Sequence, residues 1–266
     1  MISRIFAIVL RQFYLMRGSF SRVLPVFVWI VIDIILWGFI TKYLNTVAAP
    51  GLNFVPLLLG AVLLWDFFGR VMHGVSIAFF EDVWSRNFLN IFATPLSVAE
   101  YVSGLVISSI ATSSVGLVIM FVLAGVIFGL SFFIYGSMLI PFLLILFLFG
   151  IALGILSCAA TLRWGPTIEW LIWPIPALLA PFVGVFYPIS TLPKWMQYTA
   201  HLLPPSYVFE GMRAVLSGHS ISVSALLWSG CLAALYVFLA CLLFTRTYRH
   251  AMRTGLIARY SAENLS

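Results

Sequence analysis

The chain has 266 residues, 63% of them hydrophobic and only 8% charged, with a mean hydropathy of +1.12. A water-soluble domain of this length would have to coat its surface in apolar side chains to reach those values, so a soluble fold is excluded and an integral membrane protein is indicated. The formal net charge of +6 does not point to nucleic acid, because the basic residues cluster beside the apolar segments, where membrane topology accounts for them.

Residues 1–18 place Arg4 and Arg11 seven apart, on one helical face, with Ile5, Phe6, Ile8, Val9, Phe13 and Leu15 covering much of the rest. Such a helix lies in the plane of the inner membrane interface. A frayed basic anchor is the plainer alternative. Arg4, Arg11, Arg17 and Arg22 interrupt any signal-peptide core, and no small-residue cleavage site follows, so the segment is expected to be retained.

Six apolar runs follow, at 23–43, 55–79, 102–128, 137–162, 167–189 and 223–245. The expected architecture is therefore an all-α integral membrane protein built as one domain over 1–266. Residues 1–22 form the interfacial helix, 23–245 the six transmembrane helices and 246–266 a tail. An even count puts both termini on one side. Arg4, Arg11, Arg17 and Arg22 precede the first span and Arg246, Arg249, Arg253 and Arg259 follow the last, whereas the opposite loops carry only Lys42, Lys194 and Arg213, so both ends are cytoplasmic.

The second and third spans are joined by the charged stretch EDVWSRNFLNIFATPLSVAEY, residues 81–101. Its mixed charge and apolar Phe88, Leu89, Ile91 and Phe92 ask for an apolar partner surface, unless the segment simply lies on lipid. The third span is rich in small residues, among them Gly104, Ser109, Ser113 and Gly116, and the fourth sets Gly150 and Gly154 four apart; both patterns let helices approach closely. Pro174, Pro176, Pro181 and Pro188 punctuate the fifth. From 192 to 216 the chain is too apolar for a free loop and too short to cross twice, which predicts two half-embedded helices in the outer leaflet with Trp195, Tyr198 and Tyr207 at headgroup depth.

Carboxylates are costly in hydrocarbon, so Asp33 and Asp66, near the middle of the first two spans, stand out. Asp66, Arg70 and His73 share one helix face. At 1.5 Å per residue Asp33 and Arg70 lie about 15 and 14 Å above the inner boundary, at one depth. Either Arg70 pairs with the carboxylates to hold two helices together, or the group lines a path and meets a polar substrate. A proton relay through Asp33, Asp66 and His73 would instead make a secondary transporter, but neither an inverted repeat nor paired broken helices accompany it. An enzyme is disfavoured because His73, His201, His219 and His250 are scattered without metal-ligand spacing. Cys158, Cys231 and Cys241 all fall inside apolar runs, where cysteine acts as a small hydrophobe. The chain also contains no GxxxxGK[ST] loop, so nucleotide chemistry belongs to another subunit.

The basic amphipathic start, the joint RNFLNIFATPLSVAEYVSG and the stretch FYPISTLPKWMQYTAHLLPPSYVFEGMRAVL together resemble the permease subunits of type-2 ABC exporters, over essentially the whole chain. The family usually has Asn-Pro where this sequence reads LPPSYVFEG. The resemblance implies a six-span half-transporter in the bacterial inner membrane that pairs with a second copy and with two ATP-binding subunits. Those subunits hold ATP and magnesium, and this chain binds no cofactor. The resemblance also implies a cytoplasmic coupling helix within 81–96, with Glu81, Arg86, Asn87, Asn90, Phe92, Thr94 and Pro95 meeting the ATPase, and a smaller contact from 163–169. Re-entrant external half-helices would close the outer end through Trp195, Tyr198, Tyr207 and Glu210. A path along the first, second and fifth spans would use Trp29, Asp33, Trp37, Asp66, Phe67, Arg70 and Phe182 to carry an amphipathic substrate such as a polysaccharide, glycolipid, lipid or drug.

Overall fold

The computed structural model describes residues 1–47, 54–85, 87, 90–91, 93–220 and 222–255. Among these residues the structure is helical, with no strand. Helix α1 is Ile2–Arg17 and α2 is Phe20–Val47. A π-turn over Val55–Leu59 leads into α3, Gly60–Trp84, and α4 runs from Val98 to Phe128. A 3-10 stretch, Phe132–Met138, leads into α5, Leu139–Trp164. Short helices α6 (Glu169–Ile172), α7 (Ile175–Val183), α8 (Lys194–His201) and α9 (Pro204–Leu216) precede the final α10, Val223–Thr254.

Five helical stretches are long and apolar enough to cross a membrane: Phe27–Val47, Val55–Trp84, Val98–Phe128, Phe132–Trp164 and Val223–Thr254. They overlap five of the six expected spans. The fifth expected span, 167–189, is not one helix. It begins as a 3-10 turn, breaks at Trp173 and Pro174, and resumes as α7. Pro174 and Pro176 lack the N–H donors that would carry the ladder through. The apolar helical stretch Glu169–Val183 has 15 residues, about 22 Å of rise against a hydrocarbon core of about 30 Å. It ends at Gly184, whose φ of +68° and close approach to the Tyr187 carbonyl only glycine tolerates.

The centre of the fold is α3, packed between α4 and α5, with α10 laid along α5. Small residues set these distances. A Cβ built on Gly154 would lie 2.8 Å from Val75 Cβ and 2.9 Å from the Met72 carbonyl oxygen, and one on Gly150 3.0 Å from Val71 Cβ. Cys158, one turn further, rests its Sγ 3.9 Å from the Val75 carbonyl and is buried, as a small apolar residue would be. Gly154→Val is therefore expected to push α3 and α5 apart and destabilise the protein by about 1–3 kcal/mol, read as a lower thermal midpoint in detergent. An unchanged midpoint would mean that this crossing is not tight.

On the α4 side, Ser109 Oγ donates to the Val71 carbonyl at 2.9 Å, opposite Gly74, where a Cβ would lie 2.5 Å from that hydroxyl. Gly104 serves α1 in the same way: its Cβ would meet Ile8 Cγ2 at 2.6 Å. At the opposite end of the bundle, Tyr135 passes over Gly60 and donates to the Pro56 carbonyl at 2.5 Å, fixing the π-turn to the segment before α5.

The two expected short helices after 192 form as α8 and α9, and Pro204 and Pro205 sit in the first turn of α9, where their missing donors are no loss. Ser229 of α10 donates to the Pro204 carbonyl at 2.9 Å, anchoring α9 on the bundle.

Candidate translocation path and coupling joint

Helix α1 meets the protein with its polar side. Ile8 and Gln12 are buried, while Ile2, Phe6, Phe13 and Tyr14 are exposed. Arg11 reaches Asp82, in the last turn of α3, through both terminal nitrogens: Nη1 donates to Oδ2 at 2.9 Å and Nη2 bonds Oδ1. Tyr101, near the start of α4, donates its hydroxyl to the same Oδ2 at 2.6 Å. Asp82 is completely buried, so these partners replace water for it. The hydrogen bond to Asp82 pushes the Arg11 guanidinium above its ordinary pKa, keeping it a cation.

A second contact lies one helix start away. Arg4 Nη1 is 3.6 Å from Glu100 Oε2. Glu100 and Ser97 form a capping box: the Glu100 amide donates to Ser97 Oγ at 3.2 Å, and the Ser97 amide donates to Glu100 Oε2 at 2.8 Å. Asp82 stands just before the joint and Glu100 just after it, so α1 grips both flanks. Sequence reasoning missed Asp82 and Tyr101. It also overlooked the S-x-x-E spacing at 97–100, a helix-start signal in plain view.

Among the joint residues expected to couple, Glu81 belongs to the last turn of α3, half-buried, rather than to a separate helix. That part of the expectation is corrected: α3 outlasts its apolar run because Arg11 neutralises the acid in its final turn. Asn87 accepts at its carbonyl from the Ile91 amide at 2.9 Å, and the Asn90 side chain lies 3.5 Å from that of Asn87. Thr94 Oγ1 donates to the Ile91 carbonyl, and Thr94 and Pro95 are exposed. Arg86 and Phe92 lie outside the described residues.

Along the expected path, Arg70 Nε donates to Asp66 Oδ2 at 2.8 Å across one helical turn. Asp33 of α2 is half-buried within electrostatic range of both. The guanidinium stem runs past Gly116 of α4, whose Cβ would lie 3.5 Å from Arg70 Cδ. One turn on, His73 stacks on Trp173 with ring centroids 4.6 Å apart, so the break between α6 and α7 seats directly on α3. Trp37 stacks on Phe186 at 5.0 Å, and Phe182 meets Trp195 edge-on at 6.1 Å. These contacts join α2, α3 and the broken segment. Phe67 departs from the expectation: it is buried in the core, because the residue after Asp66 points about 100° away from it. Trp29 is exposed on α2, apart from these contacts.

The expected outer elements are tied together by Glu210. Its Oε1 accepts from the Ile189 amide at 2.7 Å and from Arg213 Nη2 at 2.9 Å. Tyr207 donates to the His201 carbonyl at 3.0 Å, and Trp195 and Tyr198 are exposed. Among the described residues no group of His, Cys, Asp and Glu is arranged to hold a metal ion.

Residues 3–217, most of the chain and all of the elements just described except α10, match a family described as ABC-2 type transporter. No curated protein matches the sequence. A helical membrane bundle with that match over most of its length places the chain in the ABC-2 type transporter family, as a multi-pass membrane permease of an ABC exporter.

Proposed function

We propose that this chain is one half of an exporter whose energy enters through the joint between α3 and α4. Two separate ATP-binding subunits hold ATP and magnesium, and this chain, acting as a single membrane domain with no cofactor of its own, supplies the path together with a second copy of itself. The observation that carries the reading is the grip of α1 on both flanks of the joint, Arg11 on Asp82 and Arg4 on Glu100. A segment meant to transmit a push must be braced at both ends, and a loop lying on lipid has no use for a buried ion pair at its root.

In this reading both termini and the joint are cytoplasmic, in the inner membrane of a bacterium. The broken segment α6–α7, extended by residues 184–188, makes the sixth crossing. Helices α8 and α9 dip into the outer leaflet and close the outer end through Trp195, Tyr198, Tyr207 and Glu210. Closure of the ATP-binding subunits moves Asn87, Asn90, Thr94 and Pro95, with Arg86 and Phe92, and tilts α3 with them. The substrate is amphipathic and passes Trp29, Asp33, Trp37, Asp66, Arg70 and Phe182.

Deleting residues 88–92 tests the reading. The deletion is expected to abolish copurification of the ATPase encoded beside this chain, while the thermal midpoint of the membrane bundle stays within a few degrees. An ATPase that stays bound and active after the deletion refutes the coupling role. Export that survives loss of ATP and follows a proton gradient would move the function to Asp33 and Asp66 as a proton relay.

A further inference from the structure

Where α3 ends and the broken segment starts, Trp84, Trp170 and Trp173 lie around one cavity with a single carboxylate, Glu169, in its lining. Thr167 also lines this open cavity of roughly 440 Å³, within the range of small-molecule sites. We propose that this cavity binds an ammonium group carried on an apolar body and so selects cationic amphiphiles; that they are the exported substrate rests on the permease reading above.

Tryptophans at a membrane interface are ordinary anchors. Anchors have no need of a carboxylate held against one of them, and here rings from two separate segments line one cavity with Glu169. Trp173 Nε1 donates to Glu169 Oε1 at 3.1 Å, which holds the acid against the ring that also stacks on His73. Among the described residues no basic side chain pairs with Glu169. The nearest basic residue before it in the chain, Arg163, has its guanidinium over the Trp164 ring at 5.8 Å. An ammonium is attracted to the faces of the indoles and to the carboxylate at once. A neutral guest uses only the rings, and an anionic one is repelled.

Beyond the cavity the carboxylates outnumber the cation. His73 leads from Trp173 to Arg70 and Asp66, and Asp33 faces them from α2. Of the described residues named here, three carboxylates, Glu169, Asp66 and Asp33, stand against one guanidinium, Arg70. A surplus of negative charge in low-dielectric surroundings favours cations. It disfavours acidic glycans and anionic lipids, narrowing the substrate class that aromatic content alone leaves open.

The probe is tritiated dodecyltrimethylammonium, bound to the full chain in phosphatidylglycerol nanodiscs with binding to empty discs subtracted. The unlabelled cation is expected to compete at least tenfold better than the uncharged isostere ending in a tert-butyl group. Glu169→Gln should weaken the cation about tenfold and leave the isostere unchanged, and Trp170→Ala, at a ring that is 85% exposed and so not needed for folding, should weaken both. Equal competition by cation and isostere, or no effect of either substitution, overturns the proposal. Repeating the measurement with phosphatidylcholine in the disc distinguishes the sources of the ammonium: suppressed probe binding identifies a lipid headgroup as occupant, and unchanged binding a free amphiphile, both through the same site. ATPase copurification is scored separately. Cation selectivity without a bound ATPase would count against the permease reading, and a bound ATPase without cation selectivity against this one.

Discussion

Replacing Arg11 by Met is expected to destabilise the protein by about 3–5 kcal/mol, because it leaves the fully buried Asp82 carboxylate without its cation. Tyr101 alone cannot compensate: its hydroxyl donates one hydrogen bond, worth about 1.5–3 kcal/mol to a charged acceptor, and brings no charge. Arg11→Lys restores the charge without the two-pronged geometry and should fall between. The double substitution Arg11→Met with Asp82→Leu should recover most of the loss, since replacing both members of a buried pair by apolar groups is often near neutral. Thermal midpoints in one detergent measure all three. If Arg11→Met shifts the midpoint no more than a surface substitution, the pair carries no load and the bracing argument falls. Transport separates fold from function: the double variant regains stability but should remain poorly coupled, because α1 then grips the joint only through Arg4 and Glu100 and no longer at Asp82.

The physical reason that this pair escaped the sequence lies in where each partner sits. Arg11 stood out as half of a basic helix face, which reads as a face for phospholipid headgroups. Asp82 stood in a charged stretch that reads as a solvated joint. Only tertiary packing shows that the basic face turns inward, onto Asp82 and Glu100, and that Ile2, Phe6, Phe13 and Tyr14 turn out. The long helices were legible because about 20 apolar residues in a row have few other uses. Their ends were not, since α3 continues through Glu81 to Trp84 once Asp82 is paired. Asp66 and Arg70 were legible from their spacing of four, and Gly150 and Gly154 from theirs. Phe67 was not, because aromatic character says nothing about which side of α3 it occupies. The break inside the fifth span was not legible for a related reason: hydropathy over 167–189 is continuous, but the backbone is interrupted by prolines whose effect depends on the contacts around them.

Arg70→Met should prove the most damaging substitution in the path, with a stability loss of about 3 kcal/mol, toward the lower end for a broken buried pair because both side chains keep some exposure. The loss arises from Asp66 and Asp33 together, two carboxylates near mid-bundle with no cation left between them. Adding Asp66→Asn should therefore recover most of it, and adding Asp33→Asn less, since Asp66 accepts the direct 2.8 Å bond and Asp33 feels Arg70 only through space. Midpoints for Arg70→Met and the two double variants, measured beside export of a cationic amphiphile, decide what the trio does. A stable Arg70→Met protein that no longer exports would mean that the guanidinium acts on the substrate rather than on its neighbours. An unstable one rescued by Asp66→Asn, with export of the cation restored or raised, would make Arg70 the counter-charge that keeps the carboxylates in the membrane at all, and leave Asp33 as the group that meets the passing cation.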